Sequence, residues 1–282
     1  MIEERHGAKR IRFFYLQFLI IIVLSNLSYF LTFEVSFFLL PISFVINTNI
    51  FIRLFSLGHD GIHGLLCDNK NSNDFLARYL CHTPIFFSFS RYKHLHLLHH
   101  KYVGSKYDPD YLIDLHTPKE LKKYFWYTSK RILTFHQFYT AVLFYTDITR
   151  IYKSHSKQTL NYKKDSLQLL VVWSLIITFC FTNSIVLKFV LLWWFCLLFF
   201  PLVVELFSLI QHRELDKKNP EFTRNIVEKG FFAEVFFPTG IAFHGIHHED
   251  VRIPWYNLKN LKRNESYHID SDINKCISEI FE

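Results

Sequence analysis

Residues 13–31 read FFYLQFLIIIVLSNLSYFL, with no charged side chain anywhere in the run. As a helix rising about 1.5 Å per residue, this stretch is about as long as the hydrocarbon core of a bilayer is thick, so it reads as a membrane span. Thr32 to Glu34 form a brief polar break, and residues 35–57 resume the apolar pattern with Pro41, Asn47 and Asn49 inside. Asparagines within a span usually face protein rather than lipid. The two runs therefore predict a tight helical hairpin whose outer ends emerge on the same side. A second hairpin is predicted over 167–181 and 185–210, turning at Asn183-Ser184, with a first arm that is short for a crossing. Arg5, Lys9, Arg10 and Arg12 precede the first run as in a signal peptide. The run is too long for one, and no small-residue cleavage site follows it, so it is read as a retained span.

Composition agrees with this reading. The chain has 282 residues, of which 50% are hydrophobic and 18% aromatic, including 32 Phe and 15 Tyr. Clustering is more informative than the average: long apolar runs alternate with basic polar stretches, as in a multi-pass membrane protein. The +7 net charge is spread through those stretches. With spans present it fits an anionic membrane face rather than nucleic acid. The five cysteines, Cys67, Cys81, Cys180, Cys196 and Cys276, form no CxxC pair. Nothing in their spacing suggests a disulfide framework, a zinc ribbon or an iron–sulfur site, and a reducing compartment for the polar parts fits best.

Charge also orients the spans. The N-terminal tail holds four Lys and Arg, residues 58–165 hold 16 and residues 211–282 hold ten, whereas neither hairpin turn has any. The positive-inside bias places all three basic regions in the cytoplasm. Within the central region, the aromatic-rich section from Tyr124 to Tyr145 mixes Phe125, Trp126, Phe135, Phe138 and Phe144 with Lys130 and Arg131. This suggests interfacial amphipathic helices more than a clean crossing. The predicted fold is a single all-α integral membrane domain over residues 1–282. Four transmembrane helices in two hairpins carry a cytosolic helical cap made by residues 58–165 and 211–282.

The chemistry lies in the histidines. Three clusters stand out among 16: His59-Asp-Gly-Ile-His63, His96-Leu-Leu-His99-His100, and His244-Gly-Ile-His247-His248. His212, just past the last span, is a fourth candidate. All fall on the cytoplasmic side of a topology derived without reference to histidine. Positions i, i+3 and i+4 share one helix face, so the rings of each cluster point together. Neutral imidazole binds iron, zinc, copper and nickel. Nine such rings exceed what one tetrahedral zinc needs, and two metal ions is the economical count. Soluble di-iron bundles use Glu and Glu-x-x-His pairs, a pattern missing here. Sequence leaves zinc and copper open. His6, His82, His116, His136, His155 and His268 are read as structural or surface groups, and the repeated HxxHH pattern favours His96 over His94.

These motifs resemble the membrane fatty acid desaturase superfamily from about Gly58 to Leu261. HDGIH, HLLHH and HGIHH are similar to its three histidine boxes. Tyr107-Asp-Pro-Asp-Tyr111 and Pro254-Trp-Tyr-Asn-Leu258 are similar to the segments that follow the second and third. The resemblance implies a four-span architecture with a cytosolic cap holding two irons, with O2 as co-substrate. It also implies nine ligands: His59, His63, His96, His99, His100, His212, His244, His247 and His248. Some acyl-CoA desaturases have Asn four residues before the histidine equivalent to His212, where this chain has Ser208. The tenth position is therefore open, with Glu205 and Gln211 as nearby polar groups. Asp60, Asp108, Asp110, Glu249 and Asp250 lie close to the boxes and are candidates to orient the imidazoles. Gly61 and Gly245 would admit close helix approach.

The function implied is O2-dependent desaturation of a lipid acyl chain, because removing hydrogen from an unactivated methylene needs a metal–oxygen cofactor. No CxxC cluster, dinucleotide fingerprint or HPGG-like haem segment is present. An external ferredoxin, or cytochrome b5 with a reductase, is therefore implied as electron donor. Within the superfamily the rivals are a hydroxylase, a ketolase and an acetylenase. An intramembrane zinc metalloprotease is more distant, since HDGIH has Asp where HExxH needs its general base. A metal carrier would be expected to place its ligands within the spans. The short, unfused chain without a retrieval signal favours a bacterial inner membrane over the endoplasmic reticulum.

Overall fold

The computed structural model describes residues 2–103, 105, 107–109, 159–212, 223–226, 231–258 and 269–275. The aromatic section from Tyr124 to Tyr145 lies outside them. The chain divides into two compact units, Met1–Lys93 with Arg131–Pro201, and His94–Lys130 with Leu202–Glu282.

The first unit opens with α1 (Ile2–Phe30), a π-helical turn (Leu31–Val35), a 3-10 turn (Phe37–Leu39) and α2 (Leu40–Ile62). The polar break expected at Thr32 to Glu34 falls in the π turn. Pro41 sits at the start of α2, where its missing N–H costs nothing and its fixed φ suits the first turn. Polar side chains lace the hairpin. Thr32 Oγ1 donates to Ser43 Oγ (2.7 Å), Ser43 Oγ to the Ser28 carbonyl (3.0 Å) and Asn47 Nδ2 to Ser28 Oγ (2.5 Å). Such bonds hold helices together where lipid gives no hydrophobic drive. Asn47 and Asn49 are buried against protein, as expected. Sequence reading passed over Arg53, which is buried in α2 and donates to Asn49 Oδ1 (2.8 Å) and Gln17 Oε1. A cation inside a span has to face protein and find acceptors there, and this one does.

The runs predicted as a second hairpin lie in two helices, α5 (Thr159–Cys180) and α6 (Ser184–His212). At the predicted turn, Asn183 Oδ1 accepts the amides of Ile185 and Val186, both at 3.1 Å, and so caps α6. Among the described residues, three helical stretches are long and apolar enough to cross a membrane: Gly7–Val35, Phe37–Ile62 and Ser184–His212. The apolar part of α5 is the shorter Leu167–Cys180. Large apolar side chains along the helices, such as Leu19 and Leu175, point outward with 57% and 66% of their surface exposed, as lipid-facing residues do.

After α2 come α3 (Lys70–Phe75), a π-helical stretch (Leu76–His82), a 3-10 turn (Thr83–Ile85) and α4 (Phe89–Tyr102). The link between α3 and α4 is fastened to α5 and α6. Trp173 Nε1 donates to the Thr83 carbonyl (3.1 Å), Trp193 Nε1 to that of Pro84 (2.9 Å), and Gln168 Nε2 to Thr83 Oγ1 (2.8 Å). Close packing ties α2 to the π stretch. A Cβ added at Gly61 would lie 2.3 Å from Ala77 Cβ, and one at Gly58 would lie 2.4 Å from His82 Nε2. His82 is fully buried, and burial holds its pKa down at about 3, so the ring is neutral.

The second unit contains α4 from His94 onward and the last turns of α6. It also holds β1 (Arg224–Ile226), α7 (Phe231–Phe236), a 3-10 turn (Pro238–Gly240), α8 (His244–Glu249), α9 (Trp255–Leu258) and β2 (Ile269–Ser271). Among the described residues the regular structure is helical apart from one short strand pair, in which β1 and β2 run parallel with Asn225 opposite Asp270. Each strand is three residues long, too short to show an alternating pattern in sequence. The pair matters for the site, since the Ile226 amide donates to the Ala242 carbonyl (2.8 Å) just before α8.

Candidate metal centre

Seven of the nine candidate histidines lie in the second unit. His96, His99 and His100 share one face of α4, His212 ends α6, and His244, His247 and His248 occupy the short helix α8. They separate into two groups whose ligand atoms lie within 4.8 Å of one another. One group contains His96, His100 and His247; the other contains His99, His212, His244 and His248. Adjacent residues of one motif therefore serve different groups, because i and i+1 on a helix diverge by about 100°. The remaining pair, His59 and His63, ends α2 in the first unit with ring centroids 5.0 Å apart, and His59 is buried.

The Nε2 atoms converge. In the first group His96 and His100 approach to 2.8 Å, and His100 and His247 to 3.1 Å. In the second, His212 and His244 stand 2.9 Å apart, His244 and His248 3.1 Å, and His99 and His248 3.3 Å. A neutral imidazole carries one N–H and one lone pair, so several Nε2 atoms facing one point cannot all pair with each other. A Lewis acid between them resolves the conflict. On metal–nitrogen bonds of about 2.1 Å, neighbouring ligand atoms of one ion lie roughly 3.0 to 3.4 Å apart, close to these separations. The donor set fits a metal.

Charge points the same way. Burial, followed by the neighbouring imidazoles, holds His244 and His248 well below the ordinary histidine range. His63 is pushed down to about 4 by burial, with the Lys93 charge adding to it. Rings kept neutral at physiological pH keep their lone pairs available for coordination.

The structure places the acidic candidates differently from one another. Asp108 is buried, and its Oδ1 accepts from His99 Nδ1 at 2.8 Å. That bond puts the His99 proton on Nδ1 and turns the Nε2 lone pair toward the cluster. Asp60 is buried in the last turn of α2 between the two histidines of that motif. Asp250 is not brought to a histidine: Arg252 takes its carboxylate in a fork, with both bonds at 2.8 Å. Glu249 is exposed at the end of α8, and Asp110 lies outside the described residues. Ser208 is half-buried one turn before His212, whereas Gln211 turns its amide to the Ile241 carbonyl (2.9 Å).

Several supports of the third motif escaped the sequence reading. Trp255 is buried, and its indole stacks on His247 with ring centroids 5.4 Å apart and planes 27° from parallel. Gly240 allows this approach: at φ 98° it occupies a backbone region that favours glycine, and a Cβ there would meet the Trp255 carbonyl oxygen at 2.4 Å. Phe243 cannot cap α8, so the fully buried Asn225 does so from β1, its Oδ1 accepting the Ile246 amide at 3.1 Å. The Pro-Trp-Tyr-Asn-Leu segment was the available signal for Trp255; nothing local marked Asn225.

The profile of the family described as Fatty acid desaturase matches residues 35–268. The chain belongs to the fatty acid desaturase family. No curated protein and no solved structure matches it. Family membership makes it an oxidoreductase-type protein that acts on lipid acyl groups, and the family is known for a di-iron site. The match covers all three histidine motifs and the two groups described here. Together with the three long apolar helices, it makes this a membrane protein.

Proposed function

We propose that this chain is an O2-dependent di-iron desaturase that introduces a double bond into the hydrocarbon chain of a lipid. It would sit in the membrane through four spans in two hairpins, with its histidines on the cytoplasmic face. The observation that carries this reading is the division of seven imidazoles into two groups whose ligand atoms converge. Two groups call for two ions, and ligation by imidazole alone matches neither a single tetrahedral zinc nor a zinc protease.

Within this reading, His96, His100 and His247 hold one iron, and His99, His212, His244 and His248 the other. His59 and His63 join as ligands through the family's first histidine box. When bound, the iron pair supplies the O2 chemistry that side chains lack. The protein's own contribution is geometric and electrostatic. Buried neutral rings present lone pairs without competing protons, Asp108 fixes the tautomer of His99, and Trp255 holds the plane of His247. In the overall reaction, two C–H bonds on adjacent carbons break and one C=C bond forms. O2 leaves as two waters after accepting those hydrogens with two further electrons and two protons. The chain carries no redox motif of its own in its sequence, so those electrons come from a ferredoxin, or from cytochrome b5 with a reductase.

The test is expression with a compatible donor system in a host of defined lipid profile, followed by mass spectrometry of the acyl chains. New unsaturated species that depend on O2 are expected. Hydroxylated or keto products instead would move the chain to another reaction of the family, and an unchanged profile would count against an acyl substrate.

A further inference from the structure

Helix α4 carries three of the histidines, yet what fixes its start comes from a residue 75 positions further along the chain. Asp165, near the beginning of α5, is buried with 2% of its side chain exposed. Four donors surround its carboxylate. The Ser90 amide reaches Oδ2 at 2.6 Å, Ser88 Oγ reaches Oδ2 at 2.9 Å, Ser90 Oγ reaches Oδ1 at 3.2 Å, and the Arg78 guanidinium donates to Oδ1. Ser88 Oγ also accepts the Arg91 amide (3.3 Å), while Arg78 and Lys93 both lie over the Phe89 ring, at 4.9 and 5.2 Å. The first turn of α4 is thus capped twice, by its own Ser88 and by a carboxylate from another helix. That negative charge also sits where the helix macrodipole favours it.

We propose that Asp165 is a positioning residue for the second histidine motif, pinning the first turn of α4 so that His96, His99 and His100 stand where the metals need them. The proposal rests on the metal-binding reading above. A buried carboxylate is costly unless fully partnered, and a plain helix–helix contact would be made more cheaply by an apolar side chain. What the carboxylate adds is direction. Helix α4 is one unbroken rod, so His96 and His100 lie about 9 and 15 Å along it from Ser90. A tilt of about 10° at the pinned end would carry those rings by about 1.6 to 2.6 Å. Ligand distances in a formed metal site are expected within about 0.2 Å of their standard values.

The test compares full-length wild type, Asp165→Ala, Asp165→Asn, Asp165→Glu and the control Gln168→Ala. Gln168 lies one turn along the same helix, but its bond goes to Thr83 rather than to α4. Two readouts are taken on each purified protein: amide hydrogen exchange of the peptide covering residues 88–95 in the metal-free state, and the visible spectrum after cobalt(II) loading. Asp165→Ala should speed exchange in that peptide and shift the cobalt bands. Expressed in the host with its donor system, it should also lower product formation roughly tenfold or more, the usual cost of losing a group that orients a ligand. Asp165→Glu should recover most of this and Asp165→Asn less, while Gln168→Ala should match wild type. If Asp165→Ala does not accumulate, the Asn and Glu variants are read in the same way. Unchanged exchange and an unchanged cobalt spectrum would overturn the pin and leave the metal reading intact. Equal shifts in Gln168→Ala would also overturn it. Faster exchange in Asp165→Ala alongside a wild type that takes up no cobalt would sink the metal reading and leave only a capping role.

Discussion

His99→Ala is expected to end product formation and to lower the metal content from two ions per chain to about one, while the protein still accumulates in the membrane. The reason is the division of labour within HLLHH. His99 belongs to the group with His212, His244 and His248, whereas its neighbours His96 and His100 belong to the other. Deleting it opens the second group and leaves the three described rings of the first untouched. Chemistry that needs both ions should then disappear, rather than decline as it would with a weakened substrate contact. Metal analysis of the purified variant, beside product analysis in the expressing host, checks both halves. Full activity in this variant would refute the ligand assignment.

Asp108→Ala should produce the next largest effect, acting through the same ring. His99 Nδ1 donates to Asp108 Oδ1 at 2.8 Å, and both side chains are only 3% exposed. Without the carboxylate, the imidazole loses the partner that selects its tautomer, and the ring becomes a poorer electron donor. Metal affinity should fall by roughly 10- to 100-fold, and Asp108→Asn, which keeps an acceptor oxygen, should lie between the variant and wild type. A competition titration with a chelator of known affinity measures this. If instead Asp108→Ala bound metal as tightly as wild type while losing thermal stability, the carboxylate would be a packing group and no more.

Much of the architecture and of the candidate site was legible because its signals are local. An uncharged run such as residues 13–31 has few alternatives, and Asn183 between two apolar runs marks a turn by its own capping chemistry. Histidines at i, i+3 and i+4 fall on one helix face by their spacing alone. The supports were less visible because they act across long separations. Asp165 reaches Ser90, Asn225 reaches Ile246 and Trp255 lies on His247, and no periodicity connects the partners in each pair. Arg53 was missed for a different reason: one cation in an apolar run hardly changes its average, although its burial demands acceptors. The strands β1 and β2 pair through three residues each, below the length at which alternation can be recognised.

Iron quantification with Mössbauer spectroscopy, on protein purified without oxygen and loaded with ferrous iron, is the most direct measurement of the central claim. Two irons per chain in nitrogen-rich sites are predicted. A single ion per chain, or zinc retained in preference to iron, would contradict it.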